Sequence, residues 1–302
     1  MIYKDYYSNF MPYKVSTSTP IQSSPLDYLV IGHLTADITP NGIQLGGTAA
    51  FSGLTAARFG LHTGIITACS GDLDTSEVNE LWVKKKKSAH STTFENISDG
   101  VNRTQYLFHK AEELSKSDVP VFKDLPKIVH LGPVANEVNP EILDLFPTSL
   151  KCLTPQGWFR GINAEHHVIL QAWEGCEKYL AKADIAVVSH EDVQRDEEQI
   201  AKMASVLPIF VVTENYKGAR VYWHNDARFI KAPEVKYLDD TGAGDIFATA
   251  FFYRYFHTKD PWEAGRFATL LASWSVTRNH LNSIPLSEEI TKANIEFLGN
   301  KG

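Results

Sequence analysis

Short apolar runs, each closed by a glycine or a polar residue, recur along the chain and alternate with helix-period stretches. Leu26-Asp27-Tyr28-Leu29-Val30-Ile31-Gly32 reads as a buried strand ending at its glycine. Leu61–Ala68 reads as a second, with Ser70-Gly71-Asp72 near its carboxyl end. From residue 128 onward, apolar runs at 128–132, 151–154, 184–189 and 209–213 alternate with helical patterns near 140–147, 165–182 and 195–206. That alternation predicts an α/β fold, a mostly parallel sheet sandwiched by helices. Further helices are expected from Gly46 to Gly60, from Gly242 onward, and from Pro261 through Val276. The Lys84–Lys87 run reads as the solvated end of a helix after the second strand. Two stretches carry β rather than helical period. Residues 92–108 contain the hairpin signal Asp99-Gly100, and 220–223 with 228–231 flank Asn225-Asp226 as an edge hairpin.

In a parallel sheet of this kind, ligands bind beyond the carboxyl ends of the strands. Those ends carry Pro133, then Gln156 with Arg160, then Glu191 with Asp192, then Glu214. The densest chemistry lies at Leu238-Asp239-Asp240-Thr241-Gly242-Ala243-Gly244-Asp245, which runs straight into an apolar helix. The first turn of that helix presents free N–H groups and the positive end of its dipole, and its glycines let an anion approach the backbone. Asp245 beside such an anion hole suits a general base taking a proton from a hydroxyl. A cap residue that complements the dipole is the competing reading, and spacing alone leaves the two level. Gly46-Gly47-Thr48-Ala49-Ala50-Phe51 opens the earlier helix with a glycine-rich start that faces a ligand, or packs closely as small residues do.

Asp239 to Phe247 resembles the C-terminal signature of the PfkB, or ribokinase-like, carbohydrate kinases. The resemblance implies Asp245 as the base for the accepting hydroxyl, with Gly242, Ala243 and Gly244 as the anion hole. It extends to the amino-terminal half, where Asp37, Gly46 and Gly47 match positions that face the sugar and Phe51 stands where many members carry Asn. A small β lid over the sugar is implied near residues 36–45 and 91–109, with Arg103, Gln105 and Tyr106 in reach of substrate. Ser189-His190-Glu191-Asp192 replaces the family's Asn-x-x-Glu, so Asp192 stands for the carboxylate that organises magnesium and phosphates. Arg160, after Thr154-Pro155-Gln156-Gly157-Trp158, reads equally as a group near the transferred phosphate or as half of a surface ion pair. Thr213-Glu214-Asn215-Tyr216-Lys217-Gly218 matches Thr-x-Gly-x-x-Gly with Asn215, a residue tolerant of left-handed backbone, at the first glycine; Thr213 and Gly218 are the nucleotide-side candidates. The loop Arg278–Pro285 borders adenine in the family, with His280 at a common glycine. Asp239, Asn282 and Ser283 are candidates there, Asp239 and Ser283 for a monovalent cation such as K⁺. The implied cofactors are ATP and Mg²⁺, and a homodimer through the lid is one implied partner.

Composition narrows the classes. A formal net charge of −7 argues against broad nucleic-acid binding. Cys69, Cys152 and Cys176 fit no zinc spacing, and His166-His167 would point apart on a helix, which disfavours a metal site. No apolar stretch approaches the ~18 residues of a membrane span. Residues 1–25 read as a flexible arm without the apolar core of a signal peptide, ahead of one kinase domain over 26–302, in a cytoplasmic protein. A P-loop is absent, and a dinucleotide fold lacks its third glycine, where Phe247 stands. The expected function is ATP-dependent phosphorylation of a sugar or polyol hydroxyl. A nucleoside or inositol kinase is the near alternative, and a catalytically silent sensor on the same fold the distant one.

Overall fold

The computed structural model describes residues 25–98 and 103–299. The arm expected over residues 1–25 and the Asp99-Gly100 turn therefore lie outside the described residues, apart from Pro25. In chain order the strands are β1 (Tyr28–Ile31), β2 (Thr35–Thr39), β3 (Gly42–Gly46), β4 (Thr63–Cys69), β5 (Trp82–Lys87), β6 (Thr92–Ser98), β7 (Arg103–His109), β8 (Ile128–Leu131), β9 (Leu150–Leu153), β10 (Arg160–Ile162), β11 (Val168–Leu170), β12 (Ile185–Ser189), β13 (Ile209–Thr213), β14 (Gly218–Trp223) and β15 (Asp226–Lys231). The helices are α1 (Thr48–Arg58), α2 (Glu177–Leu180), α3 (Glu197–Val206), α4 (Ala243–Thr258), α5 (Pro261–Ser275) and α6 (Ser287–Gly299).

Nine strands form one sheet in the order β15-β14-β13-β12-β9-β8-β1-β4-β5. Its strands run parallel except β14, which is antiparallel to both of its neighbours, β13 and β15, at one edge. Alternate residues supply its two cores. Tyr28 and Val30 of β1 pack with Phe251 and Phe252 of α4 and Phe267 of α5. Leu29 and Ile31 face the other way, with Val129, Leu131, Phe146 and Phe210. Strands buried on both faces read as unbroken apolar runs, which is why the sequence shows them clearly.

A second sheet, ordered β3-β2-β6-β7, lies apart from the first. Register puts Gln44, Asp37, Phe94 and Leu107 in one row across it, and Ile43, Ile38, Glu95 and Tyr106 in the next. Successive rows point to opposite faces. The Phe94 row faces the main body, where Phe94 and Leu107 pack with Val134 and Ala135.

Three elements depart from the sequence reading. Lys84–Lys87 belong to β5, an edge strand parallel to β4, and not to a helix end. Lysines suit an exposed sheet edge because they oppose pairing with a further strand. Lys85 and Lys86 are also held by Thr75, the Glu113 carbonyl and Asp118. The expected helix over 165–182 is the β10–β11 ribbon followed by one short helical turn. His166, with φ 65°, makes the tight turn between the two strands, and Val168 and Ile169 favour extended backbone. The 140–147 pattern is a 3-10 turn begun by Pro140 and capped by Asn139.

Candidate active site

The amino ends of α1 and α4 meet beside the carboxyl ends of the central strands. Gly242 precedes α4 in a left-handed conformation, φ 79°, and a Cβ there would collide with the Phe51 ring. Only glycine meets both demands at once. Phe51 is 2% exposed, in a cluster with Ile246 and Ile284. It was expected to face the substrate; it packs instead behind the signature loop and sets how close α1 and α4 can come. The Ala243 N–H donates to the Asp240 carbonyl at 3.0 Å, so it is committed within the turn. Ile246 N–H donates to the Gly242 carbonyl at 2.9 Å. The first-turn amides of Gly244, which is exposed, and of Asp245 have no intrahelical acceptor and are the ones aimed at an anion.

Asp245 sits half-buried one residue further along α4. Burial raises its carboxyl to about 6, and the nearby carboxylates of Asp192 and Asp37 push in the same direction. A hydrogen bond from the Thr48 hydroxyl and the charge of Arg160 pull it partly back. Thr48, the first residue of α1, is 2% exposed. Its methyl occupies the space a Cβ on Gly132 would need, which fixes the side chain with its hydroxyl towards Asp245. Nothing in the local sequence marks this contact except the position of Thr48 directly after the Gly46-Gly47 pair.

Asp37 descends from β2 and receives the Thr35 hydroxyl on Oδ1 at 2.7 Å. The missing side chain of Gly46 leaves room for this carboxylate. Gly47 turns the chain into α1 at φ 86°, where a Cβ would press on the His33 carbonyl. Arg160 donates to the Val134 carbonyl at 2.9 Å and lies 5.8 Å from the centre of the Phe94 ring, beneath the small sheet. Asp192 accepts from the Ser189 amide at 3.1 Å and from Gln156. Burial raises its pKa, against the opposing pull of Arg160 and these bonds. Asp245, Asp37, Arg160 and Asp192 thus share one crevice. Arg103 opens β7, and its side chain lies outside what is described.

The expected donor side is a separate group. Thr213 ends β13 beside Ser189 and donates to the Val188 carbonyl at 3.3 Å. Asn215 adopts φ 49°, the left-handed backbone its position requires. Gly218, at φ 127°, starts β14, and a Cβ there would strike the Ile230 carbonyl. Its carbonyl is taken by the Glu214 amide at 2.7 Å, so Gly218 acts in the hairpin itself. Arg220 joins Glu214 and Glu197 in an ion cluster just outside this turn.

Asp239 ties the signature loop to the loop after α5, accepting the amides of Thr241 and His280, each at 2.9 Å. Burial alone would raise its pKa, but these bonds and the Thr241 hydroxyl bring it below the usual carboxylate range. The residues fit a monovalent cation poorly. Arg278 donates to the Asn282 carbonyl at 2.8 Å and the Ser283 carbonyl at 3.3 Å, and its guanidinium is clamped by Glu289. A cation there would adjoin a fixed positive charge, although the buried Ser283 hydroxyl has no partner. The Asn282 side chain is exposed. Among the described residues no group of three or more His, Cys, Asp or Glu is placed to hold a metal, and no helix is long and apolar enough to cross a membrane.

The pfkB family carbohydrate kinase model matches residues 163–288. A nucleoside kinase of Methanothermobacter thermautotrophicus is 25% identical over 248 residues, covering 76% of this chain and 78% of that protein. Among solved structures, a pyrophosphate-dependent kinase in the ribokinase family, complexed with a pyrophosphate analogue and myo-inositol, superposes with a TM-score of 0.75 at 22% identity, over 88% of this chain and 99% of that one. Arabidopsis thaliana ribokinase, complexed with ribose and ATP, gives a TM-score of 0.68 at 16% identity, over 89% and 99%. At these identities the structures share the fold with this chain.

Proposed function

The chain belongs to the PfkB, ribokinase-like family of carbohydrate kinases, and from that premise we propose that it moves the terminal phosphoryl group of ATP to a hydroxyl of a small sugar or polyol. Asp245 carries this reading: a carboxylate raised to about 6, beside first-turn amides that lack acceptors. In the reaction the acceptor hydroxyl gives its proton to Asp245 as its oxygen bonds to the γ-phosphorus. The bond to the β–γ bridging oxygen breaks, and ADP leaves with that oxygen. The Gly244 and Asp245 amides and Arg160 face the charge that gathers on the moving group. Mg²⁺, when bound, would neutralise donor phosphate charge. Asp192 is the carboxylate that would hold it, through water.

Asp37 holds the acceptor from the small sheet, which serves as its lid. Because Phe51 packs behind the loop, it neither reads nor blocks the acceptor, and ribose, fructose, nucleosides and cyclitols all remain candidate substrates. The outward row Ile43, Ile38, Glu95 and Tyr106 of the lid is the surface we assign to a homodimer. A reducing, cytoplasmic setting belongs to the same proposal, and the free cysteines among the described residues are compatible with it.

The test is Asp245→Asn, assayed for ADP release and for ATP binding. Turnover should fall by ~10²–10⁴ while ATP affinity is kept. A variant with nearly wild-type turnover would sink the mechanism. Wild-type protein that binds acceptor and ATP without any turnover would indicate a sensor, and turnover only with pyrophosphate would overturn the ATP assignment.

A further inference from the structure

We propose that His280 is a second ligand of the acceptor, its Nε2–H and the Asp37 carboxylate together holding one hydroxyl of the sugar or polyol. The inference rests on the kinase reading above and deepens it. The loop after α5 carries His280 in a left-handed conformation, φ 48°, with its amide fixed on Asp239 Oδ2 at 2.9 Å. Its ring stands edge-on to Phe51, with centroids 5.5 Å apart. With that edge against Phe51, the imidazole lies on the Asp37 side of the crevice. There Nε2 is buried with no hydrogen-bond partner, 3.7 Å from Asp37 Oδ2.

That separation is too long for a hydrogen bond. Nε2 is therefore left without a partner while facing Oδ2, a costly arrangement for a buried polar atom. Thr35 already satisfies the other Asp37 oxygen, so Oδ2 is the open one. An oxygen that bridged them would stand about 2.8 Å from each atom. A hydroxyl meets both needs: it gives its proton to the carboxylate and accepts from the imidazole N–H. A group that only donates, such as an ammonium, would leave Nε2 unsatisfied, and one that only accepts would oppose Asp37. The pair therefore selects a polyhydroxylated acceptor.

The experiment uses the full chain with D-ribose, D-fructose, myo-inositol and adenosine as acceptors, and compares His280→Leu with His280→Gln. Leucine keeps bulk but removes the donor, whereas glutamine returns an N–H near the same place. For whichever acceptor turns over, His280→Leu should raise its KM about tenfold. The donor KM should stay within about twofold, and His280→Gln should recover most of the loss. An acceptor KM unchanged in His280→Leu, an equal rise in donor KM, or a glutamine variant no better than leucine would each overturn the assignment. If wild-type protein turned over none of the four, the kinase reading would fall on its own. Calorimetric binding of the same four compounds would then decide on His280: binding weakened in His280→Leu supports it, while equal binding, or none by wild type, overturns it.

Discussion

A carboxylate that titrates near neutrality serves a base well and a folded protein badly. Asp245 must be ionised to take a proton, and burial raises its pKa from the ordinary aspartate range to about 6. The acid limb of kcat/KM should therefore fall near pH 6, as a pH–rate profile would show. Stability runs the other way. With the folded pKa raised, the folded state binds the proton more tightly than the unfolded chain, so stability is lost as pH rises from about 4 through 6. Asp245→Asn removes that penalty. It should be more stable than wild type by about 2 kcal/mol at pH 8, allowing for solvent at the mouth of the cleft, and no more stable near pH 3.5. Urea titrations at the two pH values check the sign. Thr48 acts on the same proton from below. Thr48→Val keeps the methyl against Gly132 but loses the hydrogen bond that favours the charged form. The acid limb should move to higher pH, lowering kcat/KM several-fold at pH 6 and little at pH 8.5, while Thr48→Ser should hold the wild-type profile. An unshifted limb in the valine variant would remove Thr48 from the account.

Between elements, the meeting of α1 and α4 is where local and distant constraints coincide. The left-handed Gly242 and the Phe51 ring against it make two separate demands for glycine. Alanine there should cost about 1–2 kcal/mol for the backbone and a further 1–3 kcal/mol or so for the collision. In a Phe51→Ala background only the backbone part should remain, so Gly242→Ala should cost less there by roughly the collision part. A double-mutant cycle in urea reads that difference, and additive costs would mean the ring is not the obstacle. The same junction shows what the sequence could tell. The loop 238–245 was readable because its glycines, aspartate and helix start are neighbours in the chain. The role of Phe51 was not, since its partner Gly242 lies far along the chain and only the packed structure joins them. Thr48 with Asp245, and His280 with Asp37, escaped for the same reason. Strand β5 escaped for another: Trp82-Val83-Lys84-Lys85-Lys86-Lys87 has no apolar run, and only pairing with β4 makes it a strand.

For the whole molecule, the parallel sheet was legible because strands buried on both faces cannot conceal their composition. The small sheet was legible as a β region over 92–108, and as a lid only through the family resemblance; which of its faces turns to the crevice and which looks outward needed the strand register. On the inner face, Asp37 and Phe94 meet the main body. On the outer face, Ile43 is 69% and Ile97 50% exposed, with Ile38 and Tyr106 in the same row as Ile43. Clustered apolar side chains on a surface are unfavourable in a monomer and are relieved by a matching surface. A second copy offers that match through a two-fold axis, which would set one lid against the other. Sedimentation velocity should then show a concentration-dependent dimer. Ile43→Glu would bury a charge at that contact and return the protein to a monomer, without touching the inner row that holds Asp37. A monomer at every concentration, or a dimer unaffected by Ile43→Glu, would place any association elsewhere and leave the lid to act within one chain.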